Sequence, residues 1–394
     1  MKATPKYGIS RRIQSVQSPI IAEIGQKIRS KPGTVSLGQG VVYYGPPEQA
    51  FDRLAASLSN LENHKYSAAQ GILELRDAIA KKLQSENAIG LERSEVVVTA
   101  GSNMGFYNAI LTISDPGDEI IISRPYYFNH DMAITMAGCR PVEVPVDANY
   151  QLQPQMIAAA INERTRAIVT ISPNNPTGAV YPEETLRAIN ELCRQRGIYH
   201  ISDEAYESFV YGTGKHFSPA AITGSSGHTI SLFSLSKAYG FAGWRIGYMV
   251  IPQDLVDPVL KIQDTVQICP TVVSQQAAVG ALQAGAPFIE SKVGQIITVR
   301  SRILDALGEL EGLVDRPLSE GAFYILLKIH ADLDDTLLVD QLIQHHRVAV
   351  IPGSAFGIRS GCYLRIAYGA LDETTAGCGV SRLVDGLREL LLRG

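Results

Sequence analysis

Seven short runs of branched and aromatic apolar residues recur between residues 95 and 251, and helix-like stretches separate most of them. The runs are EVVVTA (95–100), DEIIIS (118–123), PVEVPV (141–146), RAIVTIS (166–172), GIYHIS (197–202), HTISLFS (228–234) and RIGYMVI (245–251). Each run has the length and composition of a buried strand. Strands that alternate with helices pair in parallel, because each helix returns the chain to the same end of the sheet. The pattern therefore predicts an α/β domain with a largely parallel sheet.

The pattern of predicted helices and strands changes after residue 290. A long amphipathic stretch at 293–312 precedes two shorter strand patterns at 321–329 and 362–369, and the helical pattern VSRLVDGLRELLLRG (380–394) follows them. This order of elements predicts a second, smaller α+β domain. We expect an N-terminal arm that contributes to the small domain and the substrate site, then the large domain, then the small domain. Their predicted bounds are 1–45, 46–285 and 286–394.

Composition narrows the classes of function. Of the 394 residues, 45% are hydrophobic and 19% are charged, which is typical of a folded globular protein of two domains. The net charge of −4 gives no field that favours nucleic acid or an anionic membrane. The segment 265–289 has no charged residue, but its glutamines and prolines favour a buried helix over a membrane span.

The cysteines and histidines give predictions about the cellular compartment and about metal binding. The five cysteines are widely spaced and odd in number, which is typical of reduced thiols and predicts a cytoplasmic protein without disulfides. None of the eight histidines pairs with a cysteine at zinc-ligand spacing, so we expect no metal site.

Polar residues follow several of the predicted strands. Ser102 and Asn103 come after the first run, Asn175 after the fourth and Asp203 after the fifth, while Lys237 follows the sixth. Each has an ordinary explanation: a helix cap, a turn in NNPTG, or a surface lysine in a loop. Because ligands collect at the carboxyl ends of parallel strands, the same residues are also candidates for one site.

Taken together, these residues suit a planar, phosphorylated aldehyde. The amine of Lys237 can bond covalently to a carbonyl carbon, and Asp203 can keep a pyridine nitrogen protonated. Tyr206 and Asn175 can contact a ring oxygen. The helix that starts after Gly101 offers free N–H groups to a phosphate. The further anion-binding candidates are Ser234, Ser236 and Arg245, the last of which we expect to begin the following strand.

Five motifs occur in the order and spacing of one known family: YSAAQGILELRDAI, PNNPTG, DEAY, SLSKAYGFAGWRIGY and YLRIAYG. On these motifs the chain resembles the class I/II pyridoxal-phosphate aminotransferases of fold type I, the aspartate aminotransferase superfamily, over essentially its whole length. The resemblance implies pyridoxal 5'-phosphate as cofactor and a ping-pong Schiff-base transfer of an amino group to a 2-oxo acid. It also implies a homodimer with shared active sites.

The same resemblance implies a role for each site residue. Lys237, Asp203 and Tyr206 carry the catalytic roles, and Lys237 is the residue that bonds to the cofactor. Asn175 joins Tyr206 at the ring oxygen and also faces the substrate. The implied phosphate ligands are Ser102, Asn103, Ser234, Ser236, Arg245 and, in the partner subunit's site, Tyr66. Tyr127 is the implied stacking ring, and the implied substrate-carboxylate contacts are Arg365 and the backbone of Gly40.

The predicted substrate rests on a difference between this sequence and the family members that act on dicarboxylates. Members that act on dicarboxylates carry an arginine in the region corresponding to KIQDTVQICPTVVS. This chain has no basic residue between Lys261 and Lys292, and Gln263 takes the position in question. Residues 41–44 (VVYY) are apolar and aromatic, which suits a large hydrophobic side chain. Several segments also resemble an aromatic subgroup that accepts methionine, so we expect an aromatic amino acid or methionine as donor.

Other activities stay open on the sequence alone. An aspartate-type aminotransferase with 2-oxoglutarate is the nearest alternative, since another arginine could enter the site. A β-lyase or a decarboxylating synthase of the same fold would use the same lysine, and a lyase would need no 2-oxo acid acceptor. A regulator built on this fold would carry an added basic DNA-binding domain, for which this sequence has no residues to spare.

Overall fold

The computed structural model describes residues 8–315 and 318–392 of the chain. Within those residues the backbone forms twelve β-strands and thirteen α-helices. The strands are β1 (Val35–Ser36), β2 (Ser94–Thr99), β3 (Glu119–Arg124), β4 (Arg140–Pro145), β5 (Thr165–Ile171), β6 (Tyr199–Asp203), β7 (Thr229–Ser234), β8 (Gly247–Pro252), β9 (Tyr324–Ile329), β10 (Val348–Ala349), β11 (Ile351–Pro352) and β12 (Cys362–Ala367). The helices are α1 (Arg11–Gln14), α2 (Ile20–Arg29), α3 (Glu48–Ser57), α4 (Leu73–Glu86), α5 (Ser102–Ile113), α6 (Phe128–Met136), α7 (Pro154–Ala160), α8 (Glu183–Arg196), α9 (Leu235–Ala238), α10 (Val256–Gln267), α11 (Val272–Gly308), α12 (Asp335–Gln341) and α13 (Glu373–Leu392).

Seven strands form the main sheet, in the order β2–β8–β7–β6–β5–β3–β4. The strands from β7 to β4 pair in parallel, whereas β8 runs antiparallel to both β2 and β7. All seven are the strands predicted from the sequence, and their ends lie within two residues of the predicted bounds. The prediction of a mostly parallel sheet flanked by helices is confirmed.

Helix α8 shows why the connections fold as the sequence predicts. It begins directly after Pro182 and ends at Gly197, whose left-handed backbone (φ 64°) a glycine adopts without steric cost. Leu186, Ile189 and Cys193 lie on one face of the helix and are fully buried against the sheet. This apolar face fixes the helix on the sheet, because removing it from water stabilises the packed state.

Three adjacent parallel strands end at one edge of the main sheet. Ile171 at the end of β5 lies opposite Asp203 at the end of β6, and Asp203 lies opposite Leu232 of β7. Side chains that follow these strand ends therefore meet at the same edge, where parallel sheets bind ligands.

A smaller antiparallel sheet, β11–β12–β9, lies in the C-terminal part of the chain. Its core is separate from the cores of the main sheet and includes buried residues of α13 and of the second half of α11. Strand β1 pairs in parallel with β10, so N-terminal residues add to this smaller α+β part. The domain bounds themselves stay predictions. Residues 1–7 of the predicted arm and 393–394 of the predicted terminal helix lie outside the described residues.

Helix α11 connects the two parts. It is interrupted at Gly285 (φ 60°, ψ −160°), a conformation restricted to glycine, and Pro287 follows. The first half packs in a core of the main sheet, with Ala277 and Ala278 fully buried, as predicted for the uncharged segment 265–289. Among the helices of the described residues, none has the length and hydropathy needed to cross a bilayer.

The contact between α11 and α3 gives a stability prediction. Gly280 of α11 packs against the main chain of α3, and a Cβ there would overlap the carbonyl oxygen of Gln49. We expect Gly280→Ala to destabilise the fold by about 1–3 kcal/mol, because two backbones would have to separate. The control is Gly294→Ala in the same helix, where nothing lies within 4 Å of the added Cβ.

For the control we expect unchanged or slightly higher stability, because alanine favours a helix by about 0.5–1 kcal/mol over glycine. Thermal unfolding followed by circular dichroism compares the variants. A melting temperature for Gly280→Ala equal to that of Gly294→Ala would contradict the packing described.

Candidate active site

A cavity opens at the edge where β5, β6 and β7 end. Ten of the eleven residues predicted to bind the cofactor line it, and two small or apolar side chains, Ile171 and Ala205, complete its wall. The ten are Ser102, Asn103, Tyr127, Asn175, Asp203, Tyr206, Ser234, Ser236, Lys237 and Arg245. The structure thus brings together residues from six separate segments of the sequence.

Lys237 lies on α9, directly after β7. Its Nζ donates a hydrogen bond to the carbonyl oxygen of Gly40, at 2.5 Å. Burial, followed by the positive charges of Arg245 and Arg365, lowers the pKa of Lys237 to about 8, against the opposite effect of Asp203. An amine with that pKa is partly neutral near physiological pH, as a nucleophile or a general base must be.

Asp203 is the last residue of β6 and is 4% exposed. Its Oδ1 accepts a hydrogen bond from the backbone N–H of Ala205 at 3.1 Å. Its Oδ2 lies 3.0 Å from Nε2 of His130, a buried residue whose ring stacks on Phe106 at 3.9 Å between centroids. The orientation of this pair falls short of a hydrogen bond, so His130 faces the carboxylate at contact distance only. The sequence analysis missed His130, which belongs to none of the motifs.

Two tyrosines and an asparagine meet at the wall of the cavity. The hydroxyl groups of Tyr206 and Tyr324 lie 2.8 Å apart, and Nδ2 of Asn175 lies within 3.4 Å of the Tyr206 oxygen as a donor. Burial raises the pKa of Tyr206 well above its ordinary value, so this phenol remains a donor at any physiological pH. Tyr324 was also missed, because the run GAFYILLKI predicts only a strand.

Arg365 is 2% exposed and lies between two aromatic faces, Tyr324 at 4.7 Å and Phe356 at 4.9 Å from its Cζ. It donates to Oδ1 of Asn175 at 3.0 Å and to the carbonyl oxygen of Gly38 at 2.7 Å. Its Nε has no partner, and no carboxylate within the described part of the chain pairs with it. A buried guanidinium with an open donor is suited to grip a carboxylate in a fork.

A cup suited to an anion lies at the start of α5, where free N–H groups and the helix dipole favour negative charge. Arg245 reaches this end of the helix and donates to the carbonyl of Ala100 at 3.2 Å. At Gly247 a Cβ would fall 2.7 Å from both the backbone nitrogen of Ser102 and the carbonyl oxygen of Phe233, so only glycine lets β8 pass this close to the start of α5. Ser234 also lies at the cup, where its Oγ accepts from the N–H of Ser236 at 3.1 Å.

The backbone of Arg245 corrects one prediction. The residue does not begin the strand but precedes it, with a left-handed backbone (φ 56°), and β8 begins at Gly247. A left-handed residue cannot continue into an extended strand, and this turn directs the guanidinium toward α5.

Comparison with known proteins identifies the family. The family model "Aminotransferase class I and II" matches residues 32–383. The chain is 34% identical over 395 residues to the aromatic aminotransferase ISS1 of Arabidopsis thaliana, with 98% of each chain covered. It is 37% identical over 403 residues to the probable aspartate/prephenate aminotransferase of Aquifex aeolicus (strain VF5), again with 98% of each covered. The chain belongs to the class I and II aminotransferases.

A solved structure agrees with this assignment. A single mutant of the Thermus thermophilus aspartate aminotransferase matches with a TM-score of 0.88 at 31% identity, over 96% of this chain and 100% of that one. The prediction of a class I/II pyridoxal-phosphate-dependent aminotransferase of fold type I is therefore confirmed.

One predicted cofactor ligand of this aminotransferase lies outside the cavity. Tyr66 is 78% exposed on the surface of the single chain. Tyr127, predicted to stack on the cofactor ring, does line the cavity; its hydroxyl accepts from Nδ2 of Asn129 at 2.8 Å, and its ring meets His130 edge-on at 5.2 Å.

One prediction about substrate choice is corrected. Gln263 is fully buried inside the large part of the aminotransferase, where its amide donates to the carbonyls of Ala69 and Val98, so it cannot contact a substrate. Residues 41–44 do not border this cavity, and their contact with a substrate side chain stays a prediction. The hydroxyl of Tyr43 donates to the carbonyl of Lys292, and residues 41–44 are half-buried, with the side chains of 42–44 packed against the core of the smaller part.

The charges around Lys237 give a pH prediction for the aminotransferase. Acetylation of Lys237 in the cofactor-free chain, followed by peptide mass spectrometry across pH, should show a midpoint near 8. Arg245→Gln should move this midpoint upward by about half a unit or more, because it removes a neighbouring cation that disfavours the charged amine.

Arg187→Gln is the control, since Arg187 pairs with Glu183 on the exposed face of α8. A midpoint near 10.5 in the unaltered chain, or equal midpoints for the two arginine variants, would contradict the electrostatics described.

Proposed function

We propose that the chain transfers amino groups from an aromatic amino acid or methionine to a 2-oxo acid, with pyridoxal 5'-phosphate as cofactor. The observation that carries this proposal is the placement of Lys237 and Asp203 in one cavity, with Arg365 beside it as a carboxylate grip. A lysine amine with a depressed pKa, a buried carboxylate and an open guanidinium are the groups that this reaction requires.

The donor set of the cavity fits the cofactor. The open cup at Gly101 and Gly247, with Arg245 at its rim, suits a phosphate dianion. Asp203 suits a protonated ring nitrogen, and Tyr206 suits an oxygen on the ring. When bound, pyridoxal 5'-phosphate supplies an aldehyde to the lysine and a ring that accepts the electron pair released at the substrate Cα.

Each of three residues of the chain has a separate role in the reaction. Arg365 holds the α-carboxylate of the substrate in a fork and so orients its Cα. The amine of Lys237 is partly neutral at pH 7–8, so it can take the proton from the substrate Cα as a general base. The resulting ammonium group then donates a proton as the general acid of the next step. Tyr206 donates its hydrogen bond throughout, since its pKa lies far above physiological pH. Amino acid and 2-oxo acid use these same residues in turn, which supports ping-pong kinetics.

Two considerations support an aromatic or methionine donor. The cationic side chains that line the cavity, within the described residues, are Lys237 and Arg245, and both have proposed roles already. A second carboxylate on the substrate would therefore meet no free cation of this chain. The Arabidopsis relative is an aromatic aminotransferase. An aspartate or prephenate activity is the second candidate, because the Aquifex relative is named for those substrates and the Thermus structure is an aspartate aminotransferase.

The proposal includes a homodimer in the cytoplasm. Tyr66 is exposed in a region that also exposes apolar side chains, a pattern typical of protein interfaces. The exposed apolar residues on this and adjoining segments are Phe51, Leu58, Leu61, Leu73, Val266 and Ile268. A second copy of the chain would cover them and bring Tyr66 to a neighbouring cavity. The five cysteines form no disulfide, which supports a reducing compartment.

A panel of amino donors tests substrate choice. With phenylpyruvate and 2-oxoglutarate as acceptors, we expect phenylalanine, tyrosine or methionine to exceed aspartate in kcat/KM by about tenfold or more, equivalent to about 1.4 kcal/mol of transition-state binding. Prephenate joins the acceptor panel. A large advantage for aspartate would favour the second candidate, and release of pyruvate without an acceptor would indicate a lyase.

The anion cup gives a separate test of the cofactor. Gly247→Ala should weaken binding of pyridoxal 5'-phosphate by about tenfold or more, roughly 1.4 kcal/mol, because the added methyl group would displace the backbone at Gly101 and Ser102, where the cup begins. The control is Gly243→Ala, four residues earlier, where the added Cβ meets nothing within 4 Å. Absorbance titration of the cofactor-free chain measures both affinities, and equal values would contradict the assigned cup.

A further inference from the structure

The backbone of Lys237 is held by a residue far away in the sequence. The hydroxyl of Tyr44 donates to the carbonyl oxygen of Lys237 at 2.9 Å and lies 3.2 Å from that of Ala238. Helix α9, which carries the lysine, has only four residues. A helix this short is not stable alone, and its last carbonyl groups need partners from outside. Tyr44 supplies one to the lysine itself.

The same N-terminal segment, residues 38–45, also contacts the Lys237 amine and the Arg365 guanidinium. The carbonyl of Gly40 accepts from the Lys237 amine, and the carbonyl of Gly38 accepts from Arg365. At Gly240, just after α9, a Cβ would lie 2.7 Å from the carbonyl carbon of Gly45, so the two backbones are in close contact. The segment therefore sets both the backbone and the amine of Lys237.

Tyr44 is itself held firmly. Its ring packs edge-on against Tyr43 at 5.1 Å and against Phe288 of α11 at 5.8 Å. Burial, followed by the neighbouring Tyr43 phenol, raises the pKa of Tyr44 above its ordinary value, so the hydroxyl stays protonated and can donate at any pH at which the enzyme folds. Edge-on aromatic contacts of this kind fix a ring in one orientation.

We propose that Tyr44 is a positioning residue for Lys237, whose hydroxyl fixes the end of α9 so that the amine stays inside the cavity against Gly40. This inference deepens the proposed function, on which it rests for the role of the lysine. Without the hydroxyl, the end of α9 would become mobile and the amine would spend more time in water.

Loss of the Tyr44 hydroxyl should raise the pKa of the Lys237 amine. Charged groups that face the Lys237 amine are Asp203 on β6, Arg245 before β8 and Arg365 on β12, and none of them changes when Tyr44 loses its hydroxyl. Burial is the first cause of the low pKa of this lysine, so a more hydrated amine regains a pKa closer to 10.5. The phenols on the cavity wall, Tyr127 and Tyr206, keep raised pKa values and stay neutral.

The test compares Tyr44→Phe with Tyr43→Phe in the full-length chain. Both variants keep the ring and lose one hydroxyl, but Tyr43 donates to the carbonyl of Lys292, on α11, at 3.3 Å. The first readout is acetylation of Lys237 against pH without cofactor. We expect the midpoint of Tyr44→Phe to rise by about half a unit or more, a threefold loss of neutral amine at pH 7, and that of Tyr43→Phe to stay at the wild-type value.

The second readout is hydrogen exchange of the backbone amides of Tyr239 and Gly240, which bond to Leu235 and Lys237 in the turn that ends α9. We expect these amides to exchange about tenfold faster in Tyr44→Phe, while the amides of β12 keep their wild-type rates. In the cofactor-loaded enzyme, the acidic limb of the kcat profile, which reports groups of the enzyme–substrate complex, should shift upward with the labelling midpoint.

Two results would overturn the proposal. One is a labelling midpoint and exchange rates in Tyr44→Phe equal to those of Tyr43→Phe. The other is faster exchange across β12 as well as α9, which would show a general loss of stability. Neither cofactor-free readout depends on turnover, so a failure of the proposed reaction, seen as an inactive donor panel, stays distinguishable from a failure of this inference.

Discussion

The site depends on one constraint of the backbone: three parallel strands of the main sheet end side by side. That edge places Asp203 at the end of β6 and Lys237 just after the end of the adjacent strand β7, and both side chains line one cavity. The cavity also receives Arg245 and lies beside Arg365, so cations outnumber the carboxylate. Such an excess of positive charge among buried groups favours ligands that carry anionic groups, as phosphorylated cofactors and amino acids do. Burial and neighbouring cations together lower the pKa of the lysine.

Much of the fold could be predicted because its information is local. Alternating apolar runs and turn residues locate strands and helices, and the order of elements sets the sheet. The cavity residues could be predicted because the motifs lie at strand ends, where the fold must bring them together. Tyr66 lies outside the cavity of its own chain, and its proposed role needs a second copy.

The residues that sequence analysis missed act through contacts that no motif encodes. His130 faces Asp203 from α6, and Tyr324 reaches Tyr206 from β9. Each is an ordinary buried aromatic residue until the tertiary packing is known. The misplacement of Gln263 has the same origin, because a resemblance in sequence gives a position in the chain but not the direction of a side chain. The left-handed turn at Arg245 accompanies a hydrogen bond from its guanidinium to the carbonyl of Ala100, just before α5, which a strand-like run of residues does not reveal.

The hydrogen bond between Gly38 and Arg365 joins residues 327 positions apart. Strand β1 likewise finds its partner, β10, only late in the sequence. During synthesis on the ribosome the N-terminal segment is made first and must wait, unpaired, until almost all of the chain has emerged. The main sheet can form before that moment, but the carboxylate grip cannot. A nascent chain is therefore expected to acquire a folded sheet well before it acquires a working substrate site.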